Sequence, residues 1–240
     1  GSEMCIRDRS KMLMTAIANK EEKNVEDILS SVDATTKKTI LDTTVNEQHE
    51  PALYKACMTD NINMVNLLLK HGVNVNQQTG DKHQNPGTTA LMNSSFDGHL
   101  KIVQTLLKNG ADVSITRKDG SDATYCAAEG GKQQVFQELV QHDPRFVDRK
   151  RFNGCTPLMT ASDFGHIAIV RQLLSMKVQI NAQDDVSGNT SLMRAVFNNR
   201  LDVVKVLLEN NANTSLRNKD GNDALKLAKE MNDGTVDHGN

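Results

Sequence analysis

The sequence is poor in large aromatic side chains. Its 240 residues include no tryptophan, 2 tyrosines and 6 phenylalanines, so aromatic residues make up only 3% of the chain. A globular enzyme core of this size normally contains more large rings, which contribute most to buried area. This chain must fill its interior with aliphatic and small side chains instead. That composition favours thin, repeated layers over one thick core.

The sequence also lacks an excess of charge of one sign and lacks long apolar runs. Lysine and arginine number 28 and aspartate and glutamate 30, which leaves a formal net charge of −2. Non-specific binding to nucleic acid depends on a strong positive excess, so we expect no nucleic-acid partner. No apolar run approaches the roughly 18 residues of a membrane-spanning helix, so we expect no membrane association.

Residue patterns typical of metal binding or catalysis are missing as well. The four cysteines are scattered, which is typical of reduced thiols in an intracellular protein, and no histidine stands at metal-ligand spacing from them. Gly130-Gly131-Lys132 lacks the first glycine and the hydroxyl of a phosphate-binding loop. We therefore expect no catalytic residue, no cofactor and no metal. We expect Cys155 to be exposed and unactivated, and His99 and His166 to be turn residues rather than catalytic bases.

A segment of about 33 residues recurs along the chain. Its leading glycines, which are 33, 34, 34 and 33 residues apart, are Gly87, Gly120, Gly154, Gly188 and Gly221. The copy at Gly154 reads GCTPLMTASDFGHIAIVRQLL, and the copy at Gly188 reads GNTSLMRAVFNNRLDVVKVLL. Upstream the glycine is lost, but the apolar frame persists in PALYKACMTDNINMVNLLLKHG and MLMTAIANKEEKNVEDIL. Such a period indicates a repeat architecture.

Each copy has the apolar spacing of two short helices. An apolar residue is followed three positions later by a small one in Leu53/Ala56, Leu91/Ser94, Leu158/Ala161 and Leu192/Ala195. About a dozen residues on come Val65/Leu68/Leu69, Val103/Leu106/Leu107, Val170/Leu173/Leu174 and Val204/Leu207/Leu208. Spacings of three and four residues place these side chains on one buried face of a helix.

Residues between the apolar segments predict where the helices begin and end. Thr156 before Pro157 predicts an N-cap followed by a proline at the first helical position. Residue types that tolerate a left-handed turn stand between the two helices at Asp60, Gly98, Gly131, Gly165 and Asn199. Residues predicted to take the same conformation after the second helix are Gly72, Gly110, Lys177 and Asn211.

At these residues the chain resembles ankyrin repeats. The resemblance rests on the period, on the G-x-T-P-L-M-x-A pattern from Gly154 to Ala161, on the Gly-His pairs at Gly98 and Gly165, and on the Asn-Gly-Ala-Asp-Val run from Asn109. It covers roughly residues 10–232. It implies an all-α solenoid of helix-turn-helix units with β-hairpin fingers. Met92, Met159 and Met193 stand where the family has a histidine that bonds the turn to the helix.

The predicted organisation is a leader, one repeat domain and a tail. We expect residues 1–9 to be a non-native or disordered leader, 10–232 a single ankyrin-repeat domain and 233–240 a disordered tail. The copies are predicted at 10–46 (N-terminal cap), 47–84, 85–117, 118–151, 152–185, 186–218 and 219–232 (C-terminal cap). Extra residues in 31–49 and 77–86 are expected to form surface loops, which either contact a partner or have drifted neutrally.

The copy at 118–151 departs most from the others. Thr124 and Phe136 replace the usual Leu and Val, and His142-Asp143-Pro144 replaces the usual turn. The copy is therefore either a weakly packed layer or a layer with specialised partner contacts.

The resemblance also implies where a partner would bind, namely at the finger tips and on the inner face of the first helices. In register, the predicted partner-binding residues are Met58, Phe96, Asp97, Glu129, Arg149, Arg151, Phe152, Asp163, Phe164, Asn189, Phe197 and Asn198. Three phenylalanines lie on this rim, either as contacts for a partner or as local staples against a neighbouring finger. The cations of segment 145–152 either meet an acidic peptide or form a solvated finger tip beside Asp143 and Asp148.

The resulting hypothesis is an intracellular protein-protein interaction module. It would bind a protein or peptide in a concave groove as a monomer, without catalysis, in the cytoplasm or alternatively the nucleus. Two alternatives remain open: a targeting or regulatory ankyrin region of a larger enzyme, and a microbial effector.

Overall fold

The computed structural model describes residues 5–43 and 45–232 of the chain. Within these ranges the protein has fourteen α-helices, one 3-10 helix and two isolated antiparallel bridges. The fold is the predicted all-α repeat architecture. The described residues divide between Lys118 and Asp119 into two compact units, which we call the first and the second unit. Positions 1–4 of the predicted leader, and the predicted disordered tail, lie outside the described residues.

The first unit contains seven helices. They are α1 (Ile6–Ala18), α2 (Glu22–Ser30), α3 (Ala34–Thr43), α4 (Ala52–Met58), α5 (Ile62–Lys70), α6 (Ala90–Asp97) and α7 (Leu100–Lys108). The first helices of successive copies, α1, α4 and α6, pack one on the next, and the second helices α2, α5 and α7 form a parallel layer. The predicted apolar positions, among them Leu53, Val65, Leu91 and Val103, are buried.

The second unit repeats this two-layer arrangement. It contains α8 (Ala123–Glu129), α9 (Gln133–His142), a 3-10 helix (Pro144–Phe146), α10 (Pro157–Phe164), α11 (Ile167–Ser175), α12 (Ser191–Phe197), α13 (Leu201–Glu209) and α14 (Ala224–Asn232). The first helices α8, α10, α12 and α14 form one layer, and α9, α11 and α13 form the other. Each copy therefore buries its apolar faces against its sequence neighbours, as repeat proteins do.

The turns between the helices have the predicted left-handed backbone. Gly98 and Gly165 have φ of 88° and 80°, and Asn199 at the same register has φ of 53°. After the second helix, Lys177 takes φ of 59° without a glycine's freedom. A non-glycine residue in this conformation lowers the free energy of unfolding by about 1 kcal/mol, so Lys177 destabilises this turn relative to glycine.

Two methionines close the turn where a histidine was expected from the family pattern. Thr156 caps α10, and its hydroxyl accepts a hydrogen bond from the Met159 N–H at 3.2 Å. In return, the Thr156 N–H donates to the Met159 sulfur at 3.5 Å, and Thr190 and Met193 repeat the arrangement at α12. Thioether sulfur is a weak acceptor. The methionines nevertheless preserve a reciprocal capping box.

The N-terminal region differs from two of the expectations, which are disorder before residue 10 and a surface loop at 31–49. Residues 6–9 are the first turn of α1, and Arg9 donates a hydrogen bond to the Ser31 hydroxyl at 3.1 Å, so this part of the leader is not disordered. The extra segment in 31–49 is not a surface loop, because it contains α3, which packs against α1 and buries Ile40 and Leu41. Asp33 accepts hydrogen bonds from two backbone amides at the start of α3 and so caps it.

The extra residues in 77–86 form a loop that is anchored on the first unit. Thr79 and Thr88 are joined by a backbone hydrogen bond of 2.9 Å, which starts a short hairpin. His83 returns to the helices and is buried there, with its Nε2 3.6 Å from Glu50 Oε1 and its ring edge-on to Tyr54. In the described residues the fingers are mainly turns, since their only β-pairing is by isolated bridges.

The unusual copy at 118–151 is well packed. Phe136 is the largest side chain in the described residues with less than 2% of its surface exposed, and Thr124 is buried beside the other first-helix positions. Asp143 caps the 3-10 helix by accepting the Arg145 N–H at 3.0 Å. The substituted side chains are therefore part of a buried core in this copy.

Candidate partner-binding surface

The predicted rim residues of the first unit lie at the ends of first helices. Met58 ends α4 and is 43% exposed, while Phe96, near the end of α6, is 45% exposed. Asp97 follows Phe96 and accepts a hydrogen bond from the Asn93 amide at 2.8 Å. Two large apolar side chains are thus open to solvent, although neighbouring positions of the same helices are fully buried.

The second unit has the same feature at α10 and α12. Phe164 is 50% exposed and Phe197 38% exposed, each at the C-terminal end of its helix. The ring of Phe164 stacks on His166 with centroids 5.9 Å apart, which restrains its orientation. The predicted staple therefore forms within the helical turn rather than against a finger, and half of the ring remains accessible.

His166 has a structural role, as predicted. Its Nε2 lies 3.0 Å from the backbone oxygen of Glu129 in the preceding copy. Gly131 faces the ring so closely that a Cβ there would approach Nδ1 to 2.5 Å, and its φ is 68°. Glycine is needed at that position for both reasons. The Gly-His pair thus joins one inter-helix turn to the next.

A partly buried ion cluster that the sequence pattern did not reveal lies beneath the finger before α12. Arg194 of α12 donates to Asp163 Oδ2 at 2.6 Å and to Asp184 Oδ2 at 3.0 Å. Burial disfavours the charge of this guanidinium, but Asp163 and Asp184 raise the pKa of Arg194 overall. Burial also raises the pKa of Asp163, opposed by Arg194. The cluster fixes the side chain of a predicted partner-binding residue, Asp163, in place.

Cys155 is part of this cluster rather than an exposed finger residue. It is 1% exposed, and Arg194 Nη2 lies 3.0 Å from its sulfur. Burial raises the pKa of the Cys155 thiol, against the pull of Arg194 and Arg151. The expectation of an exposed thiol is wrong because the finger folds back over the helices. The expectation that the thiol is not activated agrees with the direction of this shift.

The arginines of segment 145–152 are paired with aspartates. Arg145 forms a two-point contact with Asp143, whose pKa falls to about 2 because of that hydrogen bonding. Arg149 lies 3.8 Å from Asp122, and Arg151 lies 3.4 Å from Asp119. This pairing reduces the charge that Arg149 and Arg151 can offer to a partner.

Phe152 is the most exposed phenylalanine of this segment, at 75%. The Phe152 backbone N–H donates to the backbone oxygen of Asp119 at 3.1 Å, and this bond holds Phe152 against Gly120. A Cβ on Gly120 would approach the Phe152 nitrogen to 2.8 Å, so glycine is required there. The ring projects from the finger as a separate apolar feature.

The structure brings five of the predicted residues together in one place. A cleft of about 430 Å³, which we call the α10–α12 cleft, is lined by Asp163, Phe164, Ser187, Asn189, Arg194, Phe197, Asn198 and Arg200. Of these, Ser187, Arg194 and Arg200 were not predicted. One feature of the sequence could have predicted the role of Arg194. It is a charged residue within the apolar helix α12, and such a charge requires a carboxylate partner when the helix is packed. The remaining predicted residues do not line this cleft.

Comparison with known proteins identifies the family. A family model described as ankyrin repeats in three copies matches residues 13–117, 97–184 and 123–220. The chain belongs to the ankyrin-repeat family. Ankyrin repeats are protein-interaction modules that are typically non-catalytic and generally bind proteins.

Relatives of this ankyrin-repeat chain are much longer proteins. Over 109 residues it is 35% identical to the mouse Ankyrin repeat and SAM domain-containing protein 6, covering 45% of the chain and 12% of the relative. Over 166 residues it is 28% identical to the Xenopus laevis Neurogenic locus notch homolog protein 1, covering 69% and 6%. Over 198 residues it is 26% identical to the zebrafish Putative palmitoyltransferase ZDHHC13, covering 80% and 29%. The chain thus spans less than a third of each relative.

A solved structure supports the same fold. The human ASB11 ankyrin repeat domain superposes with a TM-score of 0.75 at 22% identity, covering 90% of both chains. Within residues 5–43 and 45–232, none of the helices combines the length and apolar character needed to cross a bilayer.

Proposed function

We propose that this ankyrin-repeat protein binds a protein or peptide through the rim formed by the ends of its first helices, without catalysing a reaction. The observation that carries the proposal is the exposure of Phe96, Phe164 and Phe197 at these helix ends. An aromatic side chain that a partner buries contributes about 1.5–3 kcal/mol to binding. Exposed rings at corresponding helix ends therefore give each unit a surface that a partner can contact.

The cysteines bear on the cellular compartment in which we propose that the protein acts. Cys57, Cys126 and Cys155 are buried as reduced thiols, which supports the reducing environment of an intracellular protein. We propose that the protein acts in the cytoplasm or nucleus as a monomer. The residues predicted on the fingers, Arg149, Arg151 and Phe152, would add contacts at the edge of the rim.

A second candidate function is a targeting or regulatory region of a larger enzyme. The match to the zebrafish palmitoyltransferase favours it, because 80% of this chain aligns with only 29% of that relative. The two candidate functions differ in which molecule binds the rim. A separate partner supports the stand-alone interaction module, whereas an attached catalytic domain supports the regulatory region.

The test is affinity capture with the full chain as bait, followed by mass spectrometry. Phe164→Ala combined with Phe197→Ala removes the two rings of the second unit. We expect the affinity for a partner captured by the wild-type protein to fall about 100-fold, since two contacts of about 1.5 kcal/mol each are lost.

The matched control is Leu201→Ala combined with Leu208→Ala, which removes exposed apolar area from α13 instead of the rim. This variant should keep the partners of the wild-type protein. Equal capture by the wild-type and the phenylalanine variant would show that the rim of the second unit is not the binding surface.

A further inference from the structure

The α10–α12 cleft has an apolar part formed by two rings. Phe164 and Phe197 line it from the ends of successive first helices, and both are partly exposed. The stack on His166 holds Phe164 in position before a partner arrives. A preorganised apolar site of this size fits one large apolar side chain, because little ordering cost remains on binding.

Arg200 gives the cleft a cation whose side chain is fixed by a hydrogen bond but is not paired with a carboxylate among the described residues. It stands at the start of α13, at the register where His166 starts α11, and its Nε donates to the Asp163 backbone oxygen at 2.9 Å. His166 makes the equivalent bond to the Glu129 backbone oxygen through Nε2. Arginine has two further NH₂ groups beyond that bond, and these have no hydrogen-bond partner among the described residues.

The stem of Arg200 is also fixed. A Cβ on Gly165 would lie 2.9 Å from Arg200 Cδ, so the arginine stem packs over this glycine as His166 packs over Gly131. A guanidinium group anchored by its stem and one nitrogen loses little freedom when it binds a carboxylate.

The other charged groups at the cleft are bonded to one another, with two carboxylates on one guanidinium group. Asp163 and Asp184 both bond Arg194, and the second oxygen of Asp163 accepts from the Asn198 amide at 3.1 Å. Asn189 accepts a hydrogen bond from Asn218 through its oxygen, which leaves its NH₂ group without a partner in the described part of the chain. The cleft therefore offers free donors beside two rings, and its carboxylate acceptors are occupied.

We propose that the α10–α12 cleft recognises a peptide segment in which a large apolar side chain is adjacent to a carboxylate, as in a leucine or phenylalanine next to an aspartate or glutamate. The rings receive the apolar side chain, and Arg200 with the Asn189 amide binds the carboxylate. This inference rests on the proposed function and names the chemistry of its partner. Charge-assisted bonds to arginine give such a site its selectivity.

The experiment selects peptides from a displayed random 12-residue library on the full chain. We expect enriched peptides to share an apolar residue next to an acidic one. One enriched peptide is then synthesised together with its Asn/Gln counterpart, and both affinities are measured by fluorescence polarisation. Loss of the carboxylate should weaken binding about 10-fold.

Variants of Arg200 connect that preference to the cleft. Arg200→Met keeps an aliphatic stem over Gly165 and removes the charge, so it should bind the acidic peptide and its amide counterpart equally. Arg200→Glu should reverse the preference towards basic peptides. Arg171→Met, an exposed arginine of α11 away from the rim, is the matched control and should keep the acidic preference. Thermal unfolding of each variant verifies that it is folded.

Three outcomes would overturn the inference: no enriched peptide, enriched peptides without an acidic residue, or an acidic preference that survives in folded Arg200→Met. None of these decides the proposed function. A partner that is captured by the wild-type protein and lost from the phenylalanine variant would still support the rim when the cleft chemistry is different.

Discussion

At the scale of single residues, Asp122 differs from Thr156 and Thr190, which cap α10 and α12. It caps α8 by accepting the Tyr125 N–H at 2.9 Å, yet it is almost fully buried and its nearest cation, Arg149, is 3.8 Å away. Burial raises the pKa of Asp122 to about 6, and the hydrogen bond and the arginine offset only part of this. A buried carboxylate whose cation partner offsets only part of the burial is a cost to folding at neutral pH.

We predict that Asp122→Asn removes a pH dependence of stability. The folded state holds the proton more tightly than the unfolded chain, whose aspartate has a pKa near 3.8. The proton's stabilising effect is therefore complete below that value and is lost as pH rises through about 6. Relative to wild type, the variant should gain roughly 2.5 kcal/mol of unfolding free energy between pH 4 and pH 7. Urea unfolding followed by circular dichroism measures this difference.

Asparagine caps helices as well as aspartate, so the comparison isolates the charge. Asp112→Asn is a suitable control, because hydrogen bonds from Ser114 lower the pKa of Asp112 and give a trend of opposite sign. Parallel pH profiles for wild type and Asp122→Asn would contradict the prediction.

At the scale of elements, α3 shows how a helix can lack the sequence pattern of one. Its residues are rich in threonine and lysine, with β-branched residues that favour helices only weakly. Only Ile40 and Leu41 are large and apolar, and they are buried because α3 packs on α1. Contacts with the rest of the first unit thus stabilise a segment whose own preference is weak.

We predict that Ile40→Ala lowers the free energy of unfolding by about 2–4 kcal/mol, because it leaves a cavity in a fully buried site. Lys38→Ala, on the exposed side of the same helix, should change it by less than about 0.5 kcal/mol. Urea unfolding of the two variants provides the test. An equally small effect of both substitutions would mean that the segment behaves as the surface loop suggested by its sequence.

The difference between local backbone preference and long-range contacts explains which features could be predicted from the sequence. Turn glycines such as Gly165 and caps such as Thr156 were predictable, since their conformations depend on local backbone chemistry. The Arg194 cluster was not, because its partners are 31 and 10 residues away and only the stacked copies bring them together. Exposure of Phe164 and Phe197 followed from register, whereas the free donors of Arg200 required the three-dimensional contacts.

At the scale of the whole molecule, contacts connect copies that are neighbours in sequence. In the first unit α4 packs against α1, α5 and α6, and in the second unit α10 packs against α8, α11 and α12. Stability in such a chain is close to a sum of the copies and their nearest interfaces. A defect in one layer should therefore spread through adjacent helices and weaken with each further interface.

We predict that Leu53→Ala in α4 has its largest effect on the helices that contact α4. Leu53 is buried, and its truncation costs about 2–5 kcal/mol. Hydrogen exchange measured by mass spectrometry should show faster exchange in α1, α5 and α6, and a smaller change in α2 and α7, which are reached through one intervening helix. Met58→Ala, an exposed position in the same helix, should leave these rates unchanged. A uniform increase across all seven helices would instead indicate that the first unit opens as one cooperative block, in which case nearest-neighbour interfaces do not set its stability.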